Sequence, residues 1–151
     1  MDLRPRVLIV ADTPALTEDL LGWLVPGGYQ STVATTFASA VIQLRTRPHL
    51  VISQLRLGAY NGLHVALRAR GGGIPAVVIG EPDTVLEREA RQFGAIFVKR
   101  DELARERMLA VAQELICSEM AVEAGSGSLA SLPALIGGEE KQQVGVPATG
   151  R

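Results

Sequence analysis

With 151 residues, close to half of them apolar, the chain can bury one full hydrophobic core and is too short for two ordinary domains. Its net charge of −1 gives no basic excess for nucleic acid, and a single cysteine, Cys117, excludes a disulfide framework and a paired-cysteine metal site. The apolar run behind the N-terminal arginines is broken by Asp12 and Thr13 before it reaches the ~7 to 15 residues of a signal-peptide core, and no stretch is long enough to span a membrane, so a cytoplasmic protein is expected.

Short apolar runs alternate with stretches of helical period, the pattern of βα repeats around a parallel sheet. The first run covers residues 6–10. Asp12-Thr13-Pro14 then supplies a polar loop, an N-cap and a proline where a helix tolerates one, predicting a helix over 15–24 that stops at Pro26-Gly27-Gly28. Residues 29–34 read as a more polar edge strand, and Thr36 as the cap of a helix over 37–46. Next comes Leu-Val-Ile-Ser-Gln over 50–54, aliphatic enough for a central strand covered on both faces, and it delivers Gln54 to its C-terminal end. Ligands bind at that end of the strands in open α/β sheets.

A glycine-rich loop over 58–62 precedes a short helix over 63–70 and three glycines. Residues 74–79 form the fourth strand. Thr84 with Glu87 reads as a capping box for a helix ending near Phe93, with Gly94 as its C-cap, and 95–99 as the fifth strand. Asp101 is placed to cap a long last helix running to about residue 124.

This succession resembles the receiver domain of bacterial two-component response regulators. The residues that carry the resemblance are Val7-Leu8-Ile9-Val10-Ala11-Asp12, Pro48-His49-Leu50-Val51-Ile52-Ser53-Gln54-Leu55-Arg56-Leu57, Asn61-Gly62, Ile74-Pro75 and Gly94-Ala95. It covers roughly residues 6–115, and it implies a flavodoxin-like, doubly wound five-stranded parallel sheet in the order 2-1-3-4-5 with helices on both faces. The expected organisation is a receiver-like domain over 1–124, including an extended last helix, and a flexible tail over 125–151.

The resemblance also locates a phosphorylation pocket, and the sequence departs from it repeatedly. Receivers take a phosphoryl group on an aspartate where this chain has Gln54, a neutral carboxamide that lacks the anionic oxygen needed to attack phosphorus. The family's pair of Mg²⁺-binding acids corresponds to Ala11 and Asp12, leaving Asp12 as a weak Mg²⁺ ligand by itself. The hydroxyl residue after the fourth strand is replaced by Gly80. In the fifth strand two registers stay open: Lys99 retained as the pocket cation with Ile96 at the aromatic position, or Phe97 retained as the switch aromatic with Arg100 as the cation. His49 and His64 read as surface residues with no second ligand spaced to share a metal.

No nucleophile and base can be paired, so no enzyme and no cofactor is expected. The leading expectation is a pseudo-receiver acting in signal transduction through phosphorylation-independent binding of a protein partner, whether sensor kinase, regulator or effector, with no nucleic acid and no membrane. A single-domain receiver in a phosphorelay, or a flavodoxin-like small-ligand-binding module using space left by Ala11 and Gly80, are the alternatives. The last helix carries apolar rows whose far end, Ile116, Met120 and Val122, is expected to be exposed and to make a homodimer or partner contact unless the tail folds over it. In the tail, an apolar island over 129–136 stands out from glycine and other small residues.

Overall fold

The computed structural model describes residues 3–125, with side chains through 118. Five strands, β1 (Arg6–Val10), β2 (Gln30–Ala34), β3 (Leu50–Gln54), β6 (Ala76–Gly80) and β7 (Ile96–Lys99), form one sheet in the order β2-β1-β3-β6-β7. Every pairing in it is parallel. This is the expected 2-1-3-4-5 arrangement. Between β3 and the next helix lies an antiparallel hairpin that the glycine-rich loop did not announce, β4 (Arg56–Leu57) and β5 (Tyr60–Asn61), turning on Gly58 with φ +58°.

The aliphatic strands are buried on both sides because a helical layer covers each face. Leu8, Val10, Val51 and Val78 contribute to one core, capped by Phe37 and Leu44 of α2 (Phe37–Leu44), by α3 (Gly62–Gly71) and by α4 (Thr84–Gln92). Val7, Ile9, Ile52, Val77 and Val98 turn the other way, against Leu16, Leu20 and Leu24 of α1 (Pro14–Leu24) and Met108, Ala112 and Ile116 of α5 (Arg105–Gly125). Each fully buried aliphatic side chain contributes roughly 1.5–3 kcal/mol relative to exposure, so these paired faces dominate the stability. β2, at the edge, leaves Thr32 exposed.

Helix starts are set by local chemistry. Thr36 Oγ1 accepts the Ser39 amide at 3.0 Å, as its position predicts. Thr13 precedes Pro14 but makes no side-chain cap bond. The cap of α4 is Asp83, one residue before the expected Thr84: its Oδ1 accepts from Val85 and Leu86, while Glu87 Oε2 accepts from the Asp83 amide. Asn61 Oδ1 accepts from Leu63 and His64 at the start of α3. Substituting Asn61 by alanine is expected to cost about 1 kcal/mol, read as a lowered urea midpoint at unchanged slope.

Asp101 does not cap the last helix. It lies in a 3₁₀ turn over Arg100–Glu102, and α5 begins at Arg105. Ile116, expected at the surface, is 3 % exposed and packs in the core with Met108 and Ala112, because the row spaced by four residues continues against the sheet for one more turn. The side chains of Met120 and Val122, and the tail from residue 126, lie outside what is described. Among the described residues no helix is long and apolar enough to cross a membrane.

Candidate functional site

The parallel register brings the ends of β1, β3, β6 and β7 to one edge of the sheet. Val10 pairs with Ser53, Gln54 with Ile79, and Gly80 with Lys99. Ala11, Asp12, Gln54, Gly80, Lys99 and Arg100 therefore all lie at this edge or in the residues just past it.

Gln54 uses its whole amide. Its Oε1 accepts from the backbone N–H groups of Asp12 at 3.2 Å and Thr13 at 3.3 Å. Its Nε2 donates to Asp12 Oδ1 at 2.9 Å and to the Arg56 carbonyl at 2.7 Å. A carboxamide has two donors and two acceptor lone pairs on its oxygen, so the group is saturated. One side chain thus ties the β1–α1 loop to the start of the hairpin. An ionised aspartate or glutamate here has no hydrogen to give Asp12 or Arg56, and a protonated one has a single hydrogen for the two acceptors, which makes the amide chemically specific to this arrangement.

The residues do not fit Mg²⁺. The cation needs several oxygen ligands in octahedral array. Asp12 is the one carboxylate at the matching positions, its Oδ1 is engaged by an N–H donor, and Ala11 is a 1 %-exposed core residue. No group of three His, Cys, Asp or Glu side chains able to hold a metal occurs among the described residues.

Gly80 does not leave space. A Cβ at this position meets Leu55 Cβ and Cδ2, both at 2.7 Å, closer than real carbon contacts allow. Leu55 is 3 % exposed, and its amide donates to the Ile79 carbonyl at 2.8 Å, which fixes it against β6. The volume in which a side chain at position 80 would reach toward the pocket is filled by the residue after Gln54. Gly62 makes a second close approach: its amide bonds the Leu55 carbonyl at 2.6 Å, and a Cβ there meets the Gln54 carbonyl oxygen at 2.5 Å. These contacts pack the loop onto the end of β3.

What remains open is a depression of about 170 Å³ whose walls include Gln54, Leu55, Arg56, Gly80, Glu81 and Arg100. Arg100 lines it and Lys99 does not. Lys99 is the last residue of β7, and strand alternation sends Phe97 toward the core beneath α2, α3 and α4, where it is partly buried. Leu55 and Arg56 belong to the stretch that carries the resemblance, yet neither they nor Glu81 is marked by it as a pocket residue. His49 is structural: its Nδ1 accepts the Arg6 amide at 2.9 Å, joining β1 to the segment before β3.

No family model and no curated protein matches the chain. Solved structures do. A signal receiver domain from Vibrio parahaemolyticus is 20 % identical with a TM-score of 0.74, over 81 % of this chain and 97 % of that one. The receiver domain of an HD domain-containing protein from Pseudomonas fluorescens gives 20 % and 0.73, over 80 % and 93 %. A CheY-like response regulator receiver domain from Methanospirillum hungatei gives 17 % and 0.72, over 78 % and 98 %. The structural neighbours are thus response regulator receiver domains, and the chain has their fold.

Proposed function

We propose that this chain is a receiver-fold signalling protein, not itself an enzyme, that works in the cytoplasm by binding a protein partner without being phosphorylated. The observation that carries the proposal is Gln54, whose carboxamide stands at the acceptor position and is held by four hydrogen bonds. A neutral amide nitrogen and a doubly engaged oxygen supply no nucleophile for phosphorus. Ala11 in place of a second carboxylate beside Asp12 and the filling of the position-80 side-chain space by Leu55 support the same reading. Partner binding then depends on surfaces that the fold presents constantly.

The test is incubation with acetyl phosphate and Mg²⁺ followed by intact mass measurement. An unchanged mass is expected. A stoichiometric adduct that hydroxylamine removes overturns the proposal and places the chain in a phosphorelay.

A further inference from the structure

The near-zero net charge conceals a segregation. From Leu20 to Gly80 the chain has no Asp or Glu, while it has Arg45, Arg47, Arg56, Arg68 and Arg70. The segment from α2 through α3 therefore carries charge of one sign and creates a local positive field, while α4 on the same face is balanced, with Glu87 and Glu89 beside Arg88 and Arg91.

Within this region lies an aromatic depression of about 240 Å³ between the first turn of α2, the hairpin and α3. Phe37 and Tyr60 stack at 4.6 Å with 16° between their planes, and His64 meets both edge-on at 6.2 and 6.0 Å. The Arg68 guanidinium lies 5.9 Å from the Phe37 ring centre. Stacking secures the hairpin to the helices, yet Tyr60 remains 50 % and Leu67 49 % exposed. His64, Leu67 and Arg68 follow at the i, i+3, i+4 spacing of one helical face, and all three are exposed. Fixed rings, a half-exposed leucine and a guanidinium flanking them are the components of an anchor pocket for an amphipathic segment.

We propose that this depression docks an acidic amphipathic segment of a partner protein, its apolar anchors seated on Tyr60 and Leu67 and a carboxylate facing Arg68. This rests on the partner-binding function above and names the chemistry of the partner. Charge complementarity selects the occupant: α2, the hairpin and α3, which wall the depression, hold no carboxylate, so an acidic segment is favoured over a basic one. Single-stranded nucleic acid fits less well, because the one arginine beside the rings, Arg68, neutralises one phosphate and the Leu67 wall offers nothing to a sugar-phosphate backbone.

The experiment is selection of a random linear peptide display library on the full-length protein, with Arg68→Glu and Tyr60→Ala as counter-targets, each checked by thermal melting. Leu67→Ser serves as a second surface variant should Tyr60→Ala loosen the hairpin. Enriched peptides are expected to combine apolar residues at i, i+3 or i+4 spacing with two or more Asp or Glu, and to lose about tenfold or more in affinity on the variants. Enrichment of neutral or basic sequences, equal binding to the variants, no enrichment, or binding of a fluorescent oligouridylate that Arg68→Glu abolishes overturns the inference. Phosphorylation is read separately by mass, so failure of the docking site and failure of the phosphorylation-independent reading are distinguishable.

Discussion

Replacing Gly80 by threonine, the residue type a phosphoryl-sensing strand end carries, is expected to lower the unfolding free energy by about 2–3 kcal/mol. The backbone is not the obstacle, since Gly80 lies at the end of a regular strand outside the left-handed region. The obstacle is Leu55, whose Cβ and Cδ2 stand 2.7 Å from where the new Cβ must go. Cβ of Leu55 cannot swing aside by a rotamer change, so β3 and β6 have to separate or the loop after Gln54 must shift. On a unit of this size the loss corresponds to a fall in melting temperature of roughly 10 °C. Leu55→Ala, which costs roughly 2–5 kcal/mol by leaving a void, makes room for the threonine. The double variant is therefore expected to be more stable than the sum of the two single losses by at least about 1 kcal/mol in a denaturation cycle. Strict additivity would show that the two positions are independent and would remove Leu55 as the reason for glycine.

The second large effect concerns Gln54→Glu. The substitution keeps the shape and replaces the donating Nε2 by an oxygen facing Asp12 Oδ1 and the Arg56 carbonyl, which stand 2.9 and 2.7 Å from the nitrogen. Two donated bonds become two acceptor–acceptor contacts. The site is partly open to water, which tempers the loss to about 1–2 kcal/mol at neutral pH. The introduced carboxyl is favoured in its protonated form, the only one that can donate, so its folded pKa is raised above the unfolded value. The folded state then holds more protons than the unfolded state in that window, and stability falls as pH rises through it. Urea melts of the variant are expected to approach those of the wild type below the ordinary glutamate pKa and to diverge above it. A pH-independent difference would mean that Gln54 matters for packing and not for its N–H groups.

The central strand, its neighbours and the amide that ends it are legible in the residues, because a buried parallel strand is a continuous aliphatic run and whatever polar group ends it is conspicuous. The meaning of Gly80 was not. Taken alone it suggested room for a ligand, and only the parallel register, which sets Leu55 against β6, reveals that the room is taken. The hairpin escaped notice because two-residue strands carry no period. The cap of α4 was displaced by one residue because Asp83 and Thr84 are both good N-caps and Glu87 reaches back to either. The burial of Ile116 is not legible for a related reason: spacing identifies the face of a helix but not how far along its length the neighbouring layer extends. The basic, aromatic segment from α2 through α3 is hidden in the total charge because acids on α1 and beyond β6 cancel it.

The four bonds of Gln54 have one more consequence. In a protein whose signal is a covalent mark, the same number of molecules reports different conditions, and the response lasts only as long as the mark. A side chain that bridges the loops permanently removes that degree of freedom. Under the proposed function, occupancy of the partner follows mass action alone, set by how many copies are made, how fast they are degraded and how tightly they bind. The time constant of such a signal is that of synthesis and turnover, so the instruction is carried by the expression level.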